Sequence, residues 1–105
     1  MTKSYHASVA ALRSLRDEFI SKYRSRIVSG LAKYGEFDPA TDKRVLSVEA
    51  QEECLDIGSY LEFLESKYNS MSAQVQKVRA KTILLYGDLK KLEAEERTLS
   101  ERGIE

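Results

Sequence analysis

Residues 47–99 read SVEAQEECLDIGSYLEFLESKYNSMSAQVQKVRAKTILLYGDLKKLEAEERTL, and the placing of their apolar side chains decides the fold class. Steps of alternately three and four residues from Ser47 meet Ala50, Cys54, Ile57, Leu61, Leu64, Tyr68, Met71, Val75, Val78, Thr82, Leu85, Leu89, Leu92, Glu96 and Leu99. This is a heptad repeat, the pattern of a left-handed coiled-coil seam. Thr82 and Glu96 are its polar exceptions near the C-terminal end. The spacing predicts an all-α, long-helix bundle with coiled-coil packing.

Upstream, Val9, Leu12, Leu15, Phe19, Tyr23, Ile27, Leu31 and Tyr34 recur mostly every three or four residues, which predicts a first helix over about 4–34. Gly35 follows as a residue suited to the left-handed conformation past a helix end, and Lys33 suits the negative end of the helix dipole. Residues 35–44, GEFDPATDKR, read as the one clear loop, with Asp38-Pro39 and Asp42 as turn and cap signals. The next helix is expected to start between Asp38 and Ser47, with Ser47 as a candidate N-cap and Glu49 in the first turn. From about 45 to 101 the pattern fits either one long helix or a helical hairpin. Asn69-Ser70-Met71-Ser72 and Gly87-Asp88 are the two places where it could fold back, and the unbroken heptad phase favours continuity. An unbroken helix over 47–99 would span about 80 Å, and a first helix of about 46 Å could not cover it. A fold-back or a second chain must therefore hide the seam, and homo-oligomerisation, as a dimer first of all, is expected.

Composition narrows the function classes. At 105 residues the chain makes one small helical domain, for which association with another chain would add buried surface. Seventeen basic and seventeen acidic residues cancel, which argues against nucleic acid or anionic lipid as partners. The charge is uneven, however: residues 45–69 carry six acidic and one basic side chain between more basic flanks. Cys54 is the single cysteine and sits on the seam, so it reads as a small core hydrophobe in a reducing, cytoplasmic setting. The one histidine, His6, has no companion ligand for zinc. No apolar run approaches the ~20 residues of a membrane span, and no signal-peptide core opens the chain.

The acidic band is the candidate site. Glu49, Glu52, Glu53 and Asp56 fall within about a 100° arc of one helix, away from the seam. Val45, Tyr60 and Phe63 extend the same face above and below, so the acids are expected to be partly covered. Covered carboxylates call for protonation, partners or a cation, and a set of oxygen ligands suits Mg²⁺ or Mn²⁺. A solvated acidic patch near a helix start accounts for the same residues without a ligand.

Residues 26–65 also resemble the MazG-like family of all-α nucleoside triphosphate pyrophosphohydrolases. The likeness rests on Lys33-Tyr34-Gly35, the Asp-rich loop, the run E-A-Q-E-E-C-L-D at 49–56, and Tyr60 one turn on. The resemblance implies Mg²⁺-dependent cleavage between α- and β-phosphates in a dimer or tetramer. It implies Glu53 and Asp56 as catalytic residues and Glu49, Glu52, Glu53 and Asp56 as metal ligands. Lys33, Arg44 and Arg26 would then neutralise the phosphates of a nucleotide. The family faces an E-x-x-E pair on one helix with an E-x-x-D pair on the next. Here Glu49-x-x-Glu52 shares its helix with Glu53-x-x-Asp56, and the first helix offers only Asp17-Glu18. Two function classes therefore stand side by side: a MazG-like hydrolase or its degenerate relative, and a non-enzymatic helical module. The latter, a phage-type inhibitor or adaptor, would act on a protein partner through its coiled coil and acidic band.

Overall fold

The computed structural model describes residues 3–103. Among them are three α-helices, a single 3-10 turn and no strand, so the fold is all-α. The chain divides between Asp38 and Pro39 into two units, each described by itself.

The first unit is built on α1, Lys3–Tyr34. It ends as its sequence predicts. Gly35 adopts φ +80°, and its amide donates to the Leu31 carbonyl at 3.0 Å, closing one of the orphan carbonyls of the last turn. Phe19 and Tyr23, one turn apart, pack their rings at 5.5 Å. Leu12, Leu15, Phe19 and Ile27 are all exposed on this helix.

The second unit is a helical hairpin. α2 runs Leu46–Lys67, a 3-10 turn follows at Asn69–Met71, and α3 runs Ser72–Glu101. The long continuous helix favoured by the heptad phase does not form. Tyr68 leaves helical geometry at φ −132°, ψ 82°, and the chain turns back through Asn69 and Ser70, two residues with weak helix preference. An unbroken phase shows that both sides of the turn carry the same stripe. It does not show that they share a helix. Gly87, the other candidate break, lies inside an uninterrupted α3.

Glu65 fastens the turn. Its Oε2 accepts hydrogen bonds from the Ser72 hydroxyl at 2.7 Å and the Gln76 amide at 3.3 Å, and Arg79 stands 3.5 Å from its Oε1. At the other end, Ser47 pairs with Glu96 and Gln51 with Glu93, so α2 and α3 run antiparallel. The core between them is small: Cys54, Leu61 and Val75, with Ser47 and Gln51 as its buried polar members. Cys54 is buried, as the seam position requires. Thr82, the first polar exception in the seam, turns its hydroxyl onto the Val78 carbonyl at 2.9 Å and so satisfies itself.

Glu96, the second exception, has a different role. Its carboxylate reaches across to the start of α2 and accepts from the Leu46 amide at 2.8 Å, the Ser47 amide at 2.9 Å and the Ser47 hydroxyl. Ser47 is not the N-cap. Val45 holds that position and makes no side-chain cap bond. The orphan amides of α2 are satisfied by a residue forty-nine and fifty positions away, on the neighbouring helix.

Candidate functional site

The two helices do not meet on the full heptad seam. Each helix presents three neighbouring columns of side chains towards or beside its partner. The first contains Ser47, Cys54 and Leu61 on α2, with Val75, Thr82, Leu89 and Glu96 on α3. Its members are buried or half-buried. The second lies about 40° to one side of the first. It contains Gln51, Gly58 and Glu65 on α2, with Ser72, Arg79, Tyr86 and Glu93 on α3, and these too are buried or half-buried. The third, about 60° to the other side, contains Ala50, Ile57 and Leu64, with Met71, Val78, Leu85, Leu92 and Leu99. This third column is the apolar half of the heptad seam, yet Ile57, Val78, Leu85 and Leu92 are 39–54% exposed.

The contact has therefore rotated from the first and third columns towards the first and second. Polar bonds pull it that way. Gln51, 6% exposed, donates its amide to Glu93 at 2.9 Å, and Arg97 holds the other Glu93 oxygen at 2.7 Å. A buried amide must find such partners, and these lie in the second column. Because the helices are antiparallel, their third columns turn in opposite senses about their own axes and emerge on the same side. The result is one apolar side of the hairpin, formed by both helices and open to solvent.

Three carboxylates in these contacts are held below the usual range. The Ser47 hydroxyl and then the Ser47 amide lower Glu96. The Gln51 amide, then Arg97, lower Glu93. The Ser72 hydroxyl, with Arg79 and Gln76 behind it, lowers Glu65.

The acidic residues singled out by sequence lie elsewhere. Glu49, Glu52, Glu53 and Asp56 all stand on α2 and are all exposed. The cover expected over them is not found, for Tyr60 is 72% and Phe63 64% exposed. Arg44 lies near Glu49 in electrostatic terms, but its guanidinium is committed to Asp42, at 2.7 Å through one nitrogen and 3.2 Å through another. Arg26 and Lys33 belong to α1 in the first unit, where Lys33 lies 5.1 Å from the Tyr34 ring centre. Among the described residues, no three His, Cys, Asp or Glu side chains converge as a metal-holding group. The carboxylates on α3 nearest the start of α2, Glu93 and Glu96, are occupied by Gln51, Ser47 and the α2 amides. The heptad marks Glu96 only as a polar exception in the seam and leaves Glu93 outside it. Nothing local in the sequence marks either as a partner of α2. No helix among the described residues is long and apolar enough to cross a membrane.

The chain matches no protein-family model, no curated protein and no solved structure.

Proposed function

We propose that this chain is a non-enzymatic helical interaction module that works through the open apolar side of the α2–α3 hairpin. The observation that carries this reading is the half-exposed column Ile57, Val78, Leu85 and Leu92. Large contiguous apolar patches on a protein surface mark association sites, and a groove between two helices suits an apolar helical surface. The acidic band of α2 borders this side and would contribute to partner choice through charge. A single buried thiol, Cys54, suits work in the reducing cytoplasm.

Serine in place of Leu85 or Leu92 tests the reading by thermal melting. A side chain that stays in water tolerates the change within about 0.5 kcal/mol. One that is covered in the working state loses about 1–3 kcal/mol. Neutral behaviour of both variants would show that no copy of this chain covers the column, and the proposal then stands or falls on a partner of another kind.

A second reading keeps the MazG-like nucleoside triphosphate pyrophosphohydrolase, active or degenerate. It draws support from the four exposed carboxylates on one arc of α2, the first of which adds weakly to the field that holds the charge on Arg44. On this reading Mg²⁺ is the ion and a nucleotide the ligand. Its test is a Mg²⁺ titration followed by melting, with and without nucleoside triphosphate, alongside an assay of pyrophosphate release. Ligand binding to the folded state must raise the melting point. A flat response with no pyrophosphate released would dispose of it. Glu53→Ala with Asp56→Ala should abolish any Mg²⁺ effect.

A further inference from the structure

We infer that the occupant of the hairpin's open side is a second copy of the same hairpin, laid antiparallel so that the turn of each covers the chain ends of the other. This rests on the interaction reading above and gives the partner and its orientation.

Charge supplies the first argument. Immediately outside the open apolar column, about 60° further round each helix, runs a second exposed column that carries charge. On α2 it contains Leu46, Glu53, Tyr60 and Lys67, and on α3 Gln74, Lys81, Asp88 and Glu95. Its acids lie in the half nearer the chain ends, and its lysines in the half nearer the turn. Stacking two hairpins with their turns at the same end sets like charge near like charge. Reversing one of them sets Glu53 over Lys67 and Asp88 over Lys81 of the second copy. Such complementarity selects orientation more than it adds affinity. The ion pair Asp88 makes with Lys91 is exposed and 4.0 Å long, too weak to hold Asp88 back.

Register supplies the second. A twofold axis across the helices that pairs Glu53 with Lys67 passes α2 at Tyr60. The same axis brings Ile57 over Leu64, a pair centred between Tyr60 and Leu61. On α3, pairing Lys81 with Asp88 centres the axis between Leu84 and Leu85, and half a residue further on, at Leu85 itself, it brings Val78 over Leu92 and Leu85 over its own copy. The hairpin's own bonds, Ser47 to Glu96 and Gln51 to Glu93, set Tyr60 level with residues 83–84. The two helices therefore call for the same axis to within about one to two residues, or about 1.5–3 Å along the helix. Nothing in the intrachain fold requires that agreement. An isologous, twofold pairing is also the commonest way for a small chain to bury such a face.

Sedimentation equilibrium on the full chain, combined with oxidative cross-linking, tests this. The expected result is a dimer of the 12.0 kDa chain at micromolar concentration, reduced to monomer by Leu85→Asp. Lys81→Glu should weaken the dimer about tenfold by setting like charges over one another across the axis, and adding Asp88→Lys should restore it by making them opposite again. Leu85→Cys should cross-link readily to itself, whereas Leu92→Cys, facing Val78, should not. A dimer lost in Leu85→Asp, yet without Leu85→Cys cross-linking or rescue by the double swap, overturns the antiparallel pairing and leaves the interaction reading standing. A monomer whose α3 apolar column is shielded from hydroxyl-radical footprinting is covered by its own α1, and both readings then fail. A monomer with that column open leaves the surface to a different protein and overturns the second-copy occupant.

Discussion

Glu96 accepts the amide and hydroxyl of Ser47 across the hairpin, so the start of one helix is capped by a side chain from the end of the other. This explains why a charged residue interrupts an otherwise apolar stripe. It also sets two ways of reading the position against each other. Heptad logic favours leucine there. Capping logic favours the carboxylate, since loss of a helix cap costs about 1 kcal/mol.

Glu96→Leu is therefore expected to leave stability no higher than the parent, although it repairs the stripe. Glu96→Ala should lose about 1 kcal/mol. Hydrogen exchange at the Leu46 and Ser47 amides should speed up in both variants. An increase in melting temperature for Glu96→Leu would show that the stripe outweighs the cap.

Acid should loosen the hairpin in a defined window. Glu65, Glu93 and Glu96 all have folded-state pKa values below the usual 4.5. A lowered carboxylate contributes stability that is present above its unfolded value and is lost as pH falls through the folded one. The melting temperature should thus hold above about pH 5 and fall progressively below 4.5. Added salt should shrink the part of the effect due to Arg79 and Arg97, whose ion pairs are partly exposed. Glu96→Gln should flatten the acid limb of the melting curve. An unchanged limb would remove Glu96 from this account.

Val75 is the most deeply buried side chain of the hairpin, at 2% exposed. Val75→Ala removes two methyl groups from a core with few other members. Denaturant melts should show a loss of about 1–2 kcal/mol, the transfer and cavity cost less a few tenths returned by alanine's helix preference. Ala73→Val, at an exposed position on the same helix, should stay within about 0.5 kcal/mol and serves as the control.

Gly35→Ala should act on the end of α1 alone. Open space surrounds the site, so an added methyl meets nothing, but φ +80° is a backbone conformation that costs an L-residue about 1 kcal/mol. Faster exchange of the Gly35-position amide, bonded to the Leu31 carbonyl, is the expected readout. Unaltered exchange would show that the bond survives the strain.

The heptad between Ser47 and Leu99 was enough to read helices and a buried Cys54, and Gly35 after the apolar spacing of residues 9–34 was enough to read the end of α1. It did not reveal where the stripe folds back, because Asn69 to Ser72 can be accommodated within a helix or in a turn, and phase alone cannot separate the two. Nor did it reveal the rotated contact. Gln51 and Glu93 look like solvent-side residues until two helices are set antiparallel, and only then can the amide find its carboxylate. The same holds for Glu96, whose partner amides lie fifty residues upstream. The acidic arc from Glu49 to Asp56 was legible as an arc, since helical spacing fixes it. Its exposure was not, because that depends on what lies over Tyr60 and Phe63.

The Glu65 fastening at the turn has a consequence for the order of assembly. It links residues only seven to fourteen positions apart, so its loop closes at small entropic cost. The cap by Glu96 must close a loop of about fifty residues before it returns anything. The hairpin should thus zip from its bend outward, and pulling on the chain ends should peel it in the reverse sequence, with the Ser47–Glu96 clasp opening first and the bend last.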